Sequence, residues 1–178
     1  MDRDLVLYRH AKAAIGKAGV SDHDRPLTGR GRRASVAIAA ALAARKAPPD
    51  LILCSTSLRT RETLEPLLAR LKPASPVSLE PGLYLASTHT LLSRLRQLPA
   101  EVERVVLIGH NDGMAEIARE LATDGDPASL VAMINKFPTG AAACFRTELD
   151  DWSDLGHTGA YLEAFLRPRD LMAGADSE

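Results

Sequence analysis

Cysteine is scarce in this chain: Cys54 and Cys144 are the only two among 178 residues, ninety positions apart. With no CxxC pair and no Cys/His cluster, a disulfide framework and a structural zinc site are both excluded. Buried, reduced thiols in a cytoplasmic protein are the expectation. Long hydrophobic runs are missing as well. The longest apolar stretch, Val36 to Ala44, is mostly alanine and about half the length of a membrane span. The opening Met1-Asp2-Arg3-Asp4 is too acidic for the basic start of a secretory signal. An excess of one charge is also absent. The 22 basic and 23 acidic residues leave a net charge of -1, which excludes a nucleic-acid binder relying on a broad basic surface. The last shortage is lysine, with 5 against 17 arginines. Arginine offers a rigid fork of donors suited to carboxylate and phosphate, whereas lysine is a mobile point charge. As a total, the excess reads as compositional bias, because alanine is abundant too; the positions of the arginines carry the information.

What is present fits one soluble domain with a real core: 46% of residues are hydrophobic and 25% charged. Three short apolar runs, Leu5–Tyr8, Leu51–Cys54 and Val105–Ile108, are continuous rather than alternating. Parallel strands covered on both faces have this pattern. Helical patterns lie between them. Thr28 is placed to cap a helix running to about Lys46, before Pro48-Pro49. Ser57 caps a second to about Leu71, Thr88 a third to about Leu98, and Asp112 opens a fourth to about Ala122. Val77–Leu79, Ala141–Leu149 and Ala160–Leu166 are further candidate strands. Strands alternating with helices predict an α/β fold, a three-layer α/β/α sandwich on a mostly parallel central sheet. A single domain over residues 1–167 is expected, with residues 168–178 a disordered tail.

One connection is unusual. Between Tyr8 and Thr28 lie 19 residues with no clear periodicity, among them Asp22, His23, Asp24 and Arg25. A loop that long in a small domain is either functional or disordered.

In open α/β sheets, ligands bind beyond the carboxyl ends of the strands. Arg9-His10 follows the first apolar run, Ser55-Thr56-Ser57-Leu58-Arg59 the second, and Gly109-His110-Asn111 the third. Taken singly, each is ordinary. A histidine at a strand end is most often hydrogen-bonded structure, and Arg30, Arg32 and Arg33 read as a solvated face. Arg59 stands out, because the first turn of a helix disfavours a cation unless an anion joins it there. Together, two arginines and two histidines on one sheet edge make an anion site with a built-in nucleophile. A neutral imidazole attacks phosphorus, and flanking guanidiniums stabilise the equatorial oxygens of the transferring group. A metal site does not fit these histidines: there is no HExxH spacing, and Arg9 and Arg59 repel a divalent cation.

These residues resemble the histidine phosphatase superfamily, which is phosphoglycerate mutase-like, and within it the SixA-type phosphohistidine phosphatases. The matching stretches are Leu7-Tyr8-Arg9-His10-Ala11-Lys12, Asp24-Arg25-Pro26-Leu27-Thr28 with Gly31, Ser55 to Thr63, and Gly109-His110-Asn111. Leu83-Tyr84-Leu85 and Phe137-Pro138-Thr139-Gly140 are further landmarks, so the likeness runs from residue 5 to about 145. The resemblance implies a hydrolase whose His10 is transiently phosphorylated. Arg9, Arg59 and His110 complete the phosphate pocket, and Arg25 reaches in to bind substrate from the long loop. No metal and no organic cofactor are implied. The implied partner is a phosphohistidine-bearing protein of a phosphorelay or phosphotransferase pathway, with no role for nucleic acid or membrane.

Two departures from the family pattern matter. Ala11 stands where the motif has glycine, and a methyl group restricts backbone approach. No carboxylate aligns with the general acid of the larger branches; the nearest, Glu80, is out of place. An alkoxide leaving group needs that acid. An imidazole, with a conjugate acid near pKa ~6.5, departs with little help, so the missing acid suits a P–N bond. Two other readings stand beside this one: a small-molecule phosphomonoesterase, and a non-catalytic phosphoprotein-binding module.

Overall fold

Because Leu5–Tyr8, Leu51–Cys54 and Val105–Ile108 carry apolar side chains at successive positions, each must be covered on both faces. They form the centre of a seven-stranded sheet. A computed structural model describes residues 1–45 and 47–172. In chain order the elements are β1 (Asp2–Arg9), α1 (Gly29–Arg45), β2 (Leu51–Ser55), α2 (Leu58–Leu68), β3 (Val77–Glu80), α3 (Thr88–Arg96), β4 (Arg104–Gly109), α4 (Gly113–Leu121), β5 (Ala122–Gly125), α5 (Pro127–Asn135), β6 (Ala142–Glu148), β7 (Ala160–Leu166) and α6 (Pro168–Met172).

The strand order is β3-β2-β4-β1-β6-β7-β5. β1 pairs parallel with β4, as do β2 with β3 and β4, and β5 with β7. Only β6 is antiparallel, to β1 on one side and β7 on the other. The sheet is therefore mostly parallel, as the sequence implies.

Successive residues of one strand enter different cores. Leu5, Leu7, Val105 and Leu107 pack with Leu91, Leu95, Met114 and Ile117 of α3 and α4. Tyr8, Val106 and Ile108 pack on the other face with Ile38 of α1 and Leu64 and Leu67 of α2. Each such aliphatic side chain contributes about 1.5–3 kcal/mol when fully buried, which explains why the strands tolerate so little polarity. This is the α/β/α sandwich expected from the alternation of elements.

Several boundaries move for local reasons. β1 begins at Asp2 rather than Leu5, because Asp2 and Arg3 pair with Glu148 and Thr147 of β6. α2 ends at Leu68, short of Leu71, with Pro66 inside its last turn. The cap of α3 is Ser87, whose hydroxyl accepts from the Thr90 amide; Thr88 instead donates to Glu116 at 2.8 Å. α1 ends at Arg45, and its expected last residue, Lys46, lies outside the described residues. β5 and α5 are additions. Asp126, whose carboxylate accepts from the Ser129 amide, and Pro127 are a standard helix start. The expected tail opens with a short helix, α6, lying against α1; residues 173–178 are outside the described residues.

Candidate active site

Arg9, the last residue of β1, pairs with Gly109, the last residue of β4. The residue after each is a histidine, so the two imidazoles emerge side by side. The His10 amide donates to the Gly109 carbonyl at 3.0 Å, and the ring centroids are 5.3 Å apart. Both rings are buried, His10 at 8% exposure and His110 at 2%.

Hydrogen-bond partners fix the proton positions. His10 Nδ1 lies 2.7 Å from the Ala11 carbonyl. A carbonyl only accepts, so Nδ1 carries the proton and Nε2 keeps the basic lone pair. His110 Nδ1 lies 3.3 Å from Nη2 of Arg59, which only donates. The neutral His110 ring therefore holds its proton on Nε2, 2.8 Å from the Ser55 hydroxyl. Burial pushes the His10 pKa down to about 4, opposed by the hydrogen bond that the ring donates to the Ala11 carbonyl, with Arg59, Arg9 and Arg25 lowering it further. Burial likewise brings His110 to about 3, helped by His10 and Arg59. Both rings are neutral at physiological pH.

Arg59 reaches the site because α2 starts where β2 ends. Ser57 caps the helix by accepting from the Thr60 amide. Thr63, one turn on, donates to the Arg59 carbonyl at 2.7 Å and accepts from the Ala11 amide at 3.0 Å. That hydroxyl ties the helix to the residue beside His10. The Arg9 side chain turns to the Phe137 carbonyl at 2.8 Å, which Asn111 also meets at 3.1 Å. Arg9 and Arg59 each keep a buried Nε–H without an acceptor among the described residues. Buried donors of this kind call for a partner, and the oxygens of a tetrahedral anion are suitable ones.

Arg9, His10, Arg25, Arg59, His110 and Asn111 line one open cleft of about 410 Å³. All five residues singled out from the sequence are thus brought to one place. Arg25 enters from the long loop, donating to the Ala14 carbonyl at 2.8 Å and to the Asp22 carboxylate at 2.9 Å.

Asp22 was not foreseen in this role. Its main-chain carbonyl and carboxylate accept from Arg59 at 2.6 and 3.1 Å, and Tyr84 also donates to the carboxylate. The Tyr84 hydrogen bond, against a smaller effect of burial, and then Arg59 hold its pKa down to about 2. The signal available in the sequence was the spacing of Asp22 and Arg25 in a loop too long to be a simple connection. Asp22 is the only carboxylate among the described residues lining the cleft.

Glu80 is elsewhere. It receives two bonds of 2.8 Å from Arg94 and does not line the cleft. Ala11 causes no strain: it is fully buried, and among the described residues Leu85 alone of the non-glycines has positive φ. Gly31 is the glycine the backbone demands here, since a Cβ on it would lie 2.2 Å from the Lys12 carbonyl. Among the described residues no three His, Cys, Asp or Glu side chains gather as metal ligands, and no helix is long and apolar enough to cross a membrane.

The model of the histidine phosphatase superfamily (branch 1) matches residues 5–84. A Mycobacterium tuberculosis protein is 33% identical over 163 residues, spanning 90% of this chain and 99% of its own. A protein assigned as the phosphohistidine phosphatase SixA from Nakamurella multipartitia superposes with a TM-score of 0.81 at 31% identity, covering 94% of this chain and 97% of that one. The protein histidine phosphatase SixA complexed with tungstate gives a TM-score of 0.74 at 28% identity, covering 94% and 99%.

Proposed function

The chain belongs to the histidine phosphatase superfamily and, within it, to the SixA type; from that premise we propose that it is a cytoplasmic phosphatase that hydrolyses phosphohistidine on a phosphorelay or phosphotransferase protein through a covalent phospho-His10 intermediate. His10 Nε2 attacks phosphorus as the P–N bond of the substrate breaks, and the substrate imidazole leaves. Water then attacks phospho-His10, and inorganic phosphate departs as the ring regains its lone pair. Arg9, Arg59 and His110 carry the charge of the transferring phosphoryl group, and Arg25 binds the substrate from the loop.

The observation that carries the choice of substrate is the state of Asp22, the one carboxylate that lines the cleft among the described residues. Asp22 has its pKa lowered to about 2, so near neutral pH it has no proton to give. An alkyl phosphate releases an alkoxide and needs a donor. Phosphohistidine, protonated on its other ring nitrogen, releases a neutral imidazole with a conjugate-acid pKa of ~6.5 and needs none. The cleft also opens to solvent beside the half-exposed Leu85, so a protein-borne phosphoryl group has access.

The test is to incubate the protein with phosphoimidazole, a phosphohistidine protein and a panel of sugar phosphates, trap the phosphoenzyme at short times and locate the label. An acid-labile label on His10 is expected, with turnover fastest on the P–N substrates. His10→Ala lowers kcat by about 10³-fold or more, because no other group supplies the nucleophile. A label on another residue overturns the mechanism. Faster turnover of sugar phosphates establishes the phosphomonoesterase reading instead, and stable binding of a phosphoprotein without phosphate release establishes a binding module.

A further inference from the structure

Beside the cleft lies a second hollow of about 400 Å³, with Lys12, Arg30 and Arg169 around a floor of Ala34, Pro138 and Pro168. Lys12 and Thr139 line both the hollow and the cleft, so the two adjoin. The charge of the hollow is one-sided. No acidic side chain lines the second hollow, although the chain as a whole carries a net charge of -1.

The cations there are not consumed by the fold. Arg32, also at the start of α1, pairs with Glu62 at 3.3 Å, whereas Arg30 and Lys12 have no ion-pair partner among the described residues. Arg169 is 75% exposed and only loosely near Asp170 at 3.8 Å. Arg30 moreover sits in the first turn of α1, which holds no acidic residue and where the helix dipole disfavours a cation.

The geometry of the ridge between the hollows is fixed. The Thr28 amide and hydroxyl both donate to the Lys12 carbonyl, at 2.8 and 3.2 Å. The absence of a side chain on Gly31 lets α1 close onto that carbonyl. Lys12 is thereby set between the phosphate cleft and the basic hollow.

We infer that the hollow formed by Lys12, Arg30 and Arg169 docks an acidic polypeptide segment flanking the phosphohistidine of the partner protein; this rests on the phosphohistidine reading given above. Cations around an apolar floor suit glutamate-rich chain, whose aliphatic stems lie on the prolines while the carboxylates meet the rim. A nucleic acid fits less well, since the hollow offers no aromatic side chain on which a base can stack.

The experiment compares four substrates: phosphoimidazole, a phosphohistidine peptide flanked by glutamates, and the same peptide with glutamines or with lysines. Each is assayed with the wild type and with Arg30→Glu/Arg169→Glu. The wild type is expected to favour the glutamate peptide about tenfold in kcat/KM, with the preference fading as salt rises. The variant loses that preference, gains one for a lysine-flanked peptide, and keeps phosphoimidazole hydrolysis within about twofold. It folds normally, because an acid in the first turn of α1 suits the dipole and Arg169 is exposed; a thermal melt checks this. Equal kcat/KM for the glutamate and glutamine peptides with phosphoimidazole hydrolysis intact overturns the docking inference and leaves the phosphohistidine reading standing. A parallel fall in phosphoimidazole hydrolysis in the variant also overturns it, by assigning the hollow to small-substrate binding. Stronger inhibition by single-stranded DNA than by polyglutamate overturns it in favour of a nucleic acid. No hydrolysis of phosphoimidazole or any of the peptides by the wild type overturns both.

Discussion

Arg59 meets Asp22 twice, donating through Nη1 to its main-chain carbonyl at 2.6 Å and through Nη2 to its carboxylate at 3.1 Å. The same carboxylate accepts from Arg25 at 2.9 Å and from the Tyr84 hydroxyl. In the proposed mechanism a carboxylate of the protein's own loop therefore engages donors that an incoming phosphoryl group also needs, and the loop anion and the substrate anion compete for one set of guanidiniums.

Replacing Asp22 by Asn keeps an acceptor for Arg59 and Tyr84 but removes the charge. The cleft becomes more positive, so inorganic phosphate and tungstate are expected to inhibit about 3- to 10-fold more tightly, while kcat changes by a few-fold at most. Competitive inhibition measured for wild type and Asp22→Asn decides it. Weaker inhibition in the variant shows instead that the charge of Asp22 serves to hold Arg59 in position.

Glu80 offers the converse case. Burial raises its pKa, but the hydrogen bonds from Arg94 and Ser78 outweigh burial and hold it below its ordinary value. It is thus a poor proton donor as well as remote from the cleft. Glu80→Gln is expected to leave kcat on phosphoimidazole within about twofold and to lower stability by about 1 kcal/mol through the lost ion pair with Arg94. Turnover on phosphoimidazole and an alkyl phosphate, with a urea melt alongside, measures both. A large kcat loss confined to alkyl phosphates assigns Glu80 as the acid instead.

The sheet and the four site residues at its edge were legible because each rests on a strong local signal. A continuous apolar run must be buried on both faces; Arg9 and His10 follow one such run directly, His110 follows another after Gly109, and Arg59 a third after the turn from Ser55 to Leu58. Arg25 was legible through its place in the likeness to the family. Asp22 and Tyr84 were not legible, since their roles arise only when the short turn Asp22–Asp24 folds back on α2. No periodicity encodes that approach. β5 lacked the apolar run that marks the other strands. Arg3 escaped notice for a related reason: hydropathy places an arginine outside, and nothing short of the tertiary structure supplies the carbonyls that bury it.

The two site histidines make stability depend on pH. Their folded-state pKa values, about 4 for His10 and about 3 for His110, lie below the ordinary ~6.5 of an unfolded chain. Below about pH 6.5 the unfolded chain binds protons that the folded protein does not, so stability is full above that pH. It is lost as pH falls through the window toward 4 and 3, by about 1.4 kcal/mol per ring and pH unit. Urea unfolding at about pH 7.5 and about pH 5 is expected to show this slope, and His10→Gln to flatten it by about half. NMR of the ring nitrogens gives a direct check: both stay neutral at about pH 6, whereas titration of His10 near 6.5 refutes the account.

Arg3, at the far end of β1 from His10, is buried to 1% exposure without a carboxylate partner among its bonds. It donates instead to four carbonyls: Leu149 at 3.1 Å, Ala100 at 3.0 Å, Val102 at 2.7 Å and Asp150 at 2.6 Å. Its guanidinium lies over the Trp152 ring at 5.4 Å, and the Trp152 indole donates to the same Val102 carbonyl at 2.6 Å. One planar fork thus joins β1, the turn before β4 and the segment after β6. Arg3→Met leaves those carbonyls short of donors in a buried place, at a cost of about 3–5 kcal/mol. Arg3→Lys recovers little, because a point charge on a flexible stem does not span four acceptors. Chemical denaturation measures the loss, and kcat on phosphoimidazole, assayed well below the melting temperature of each variant, stays near the wild-type value. A comparable fall in kcat means that the two ends of β1 are mechanically coupled and that Arg3 positions His10 through the strand.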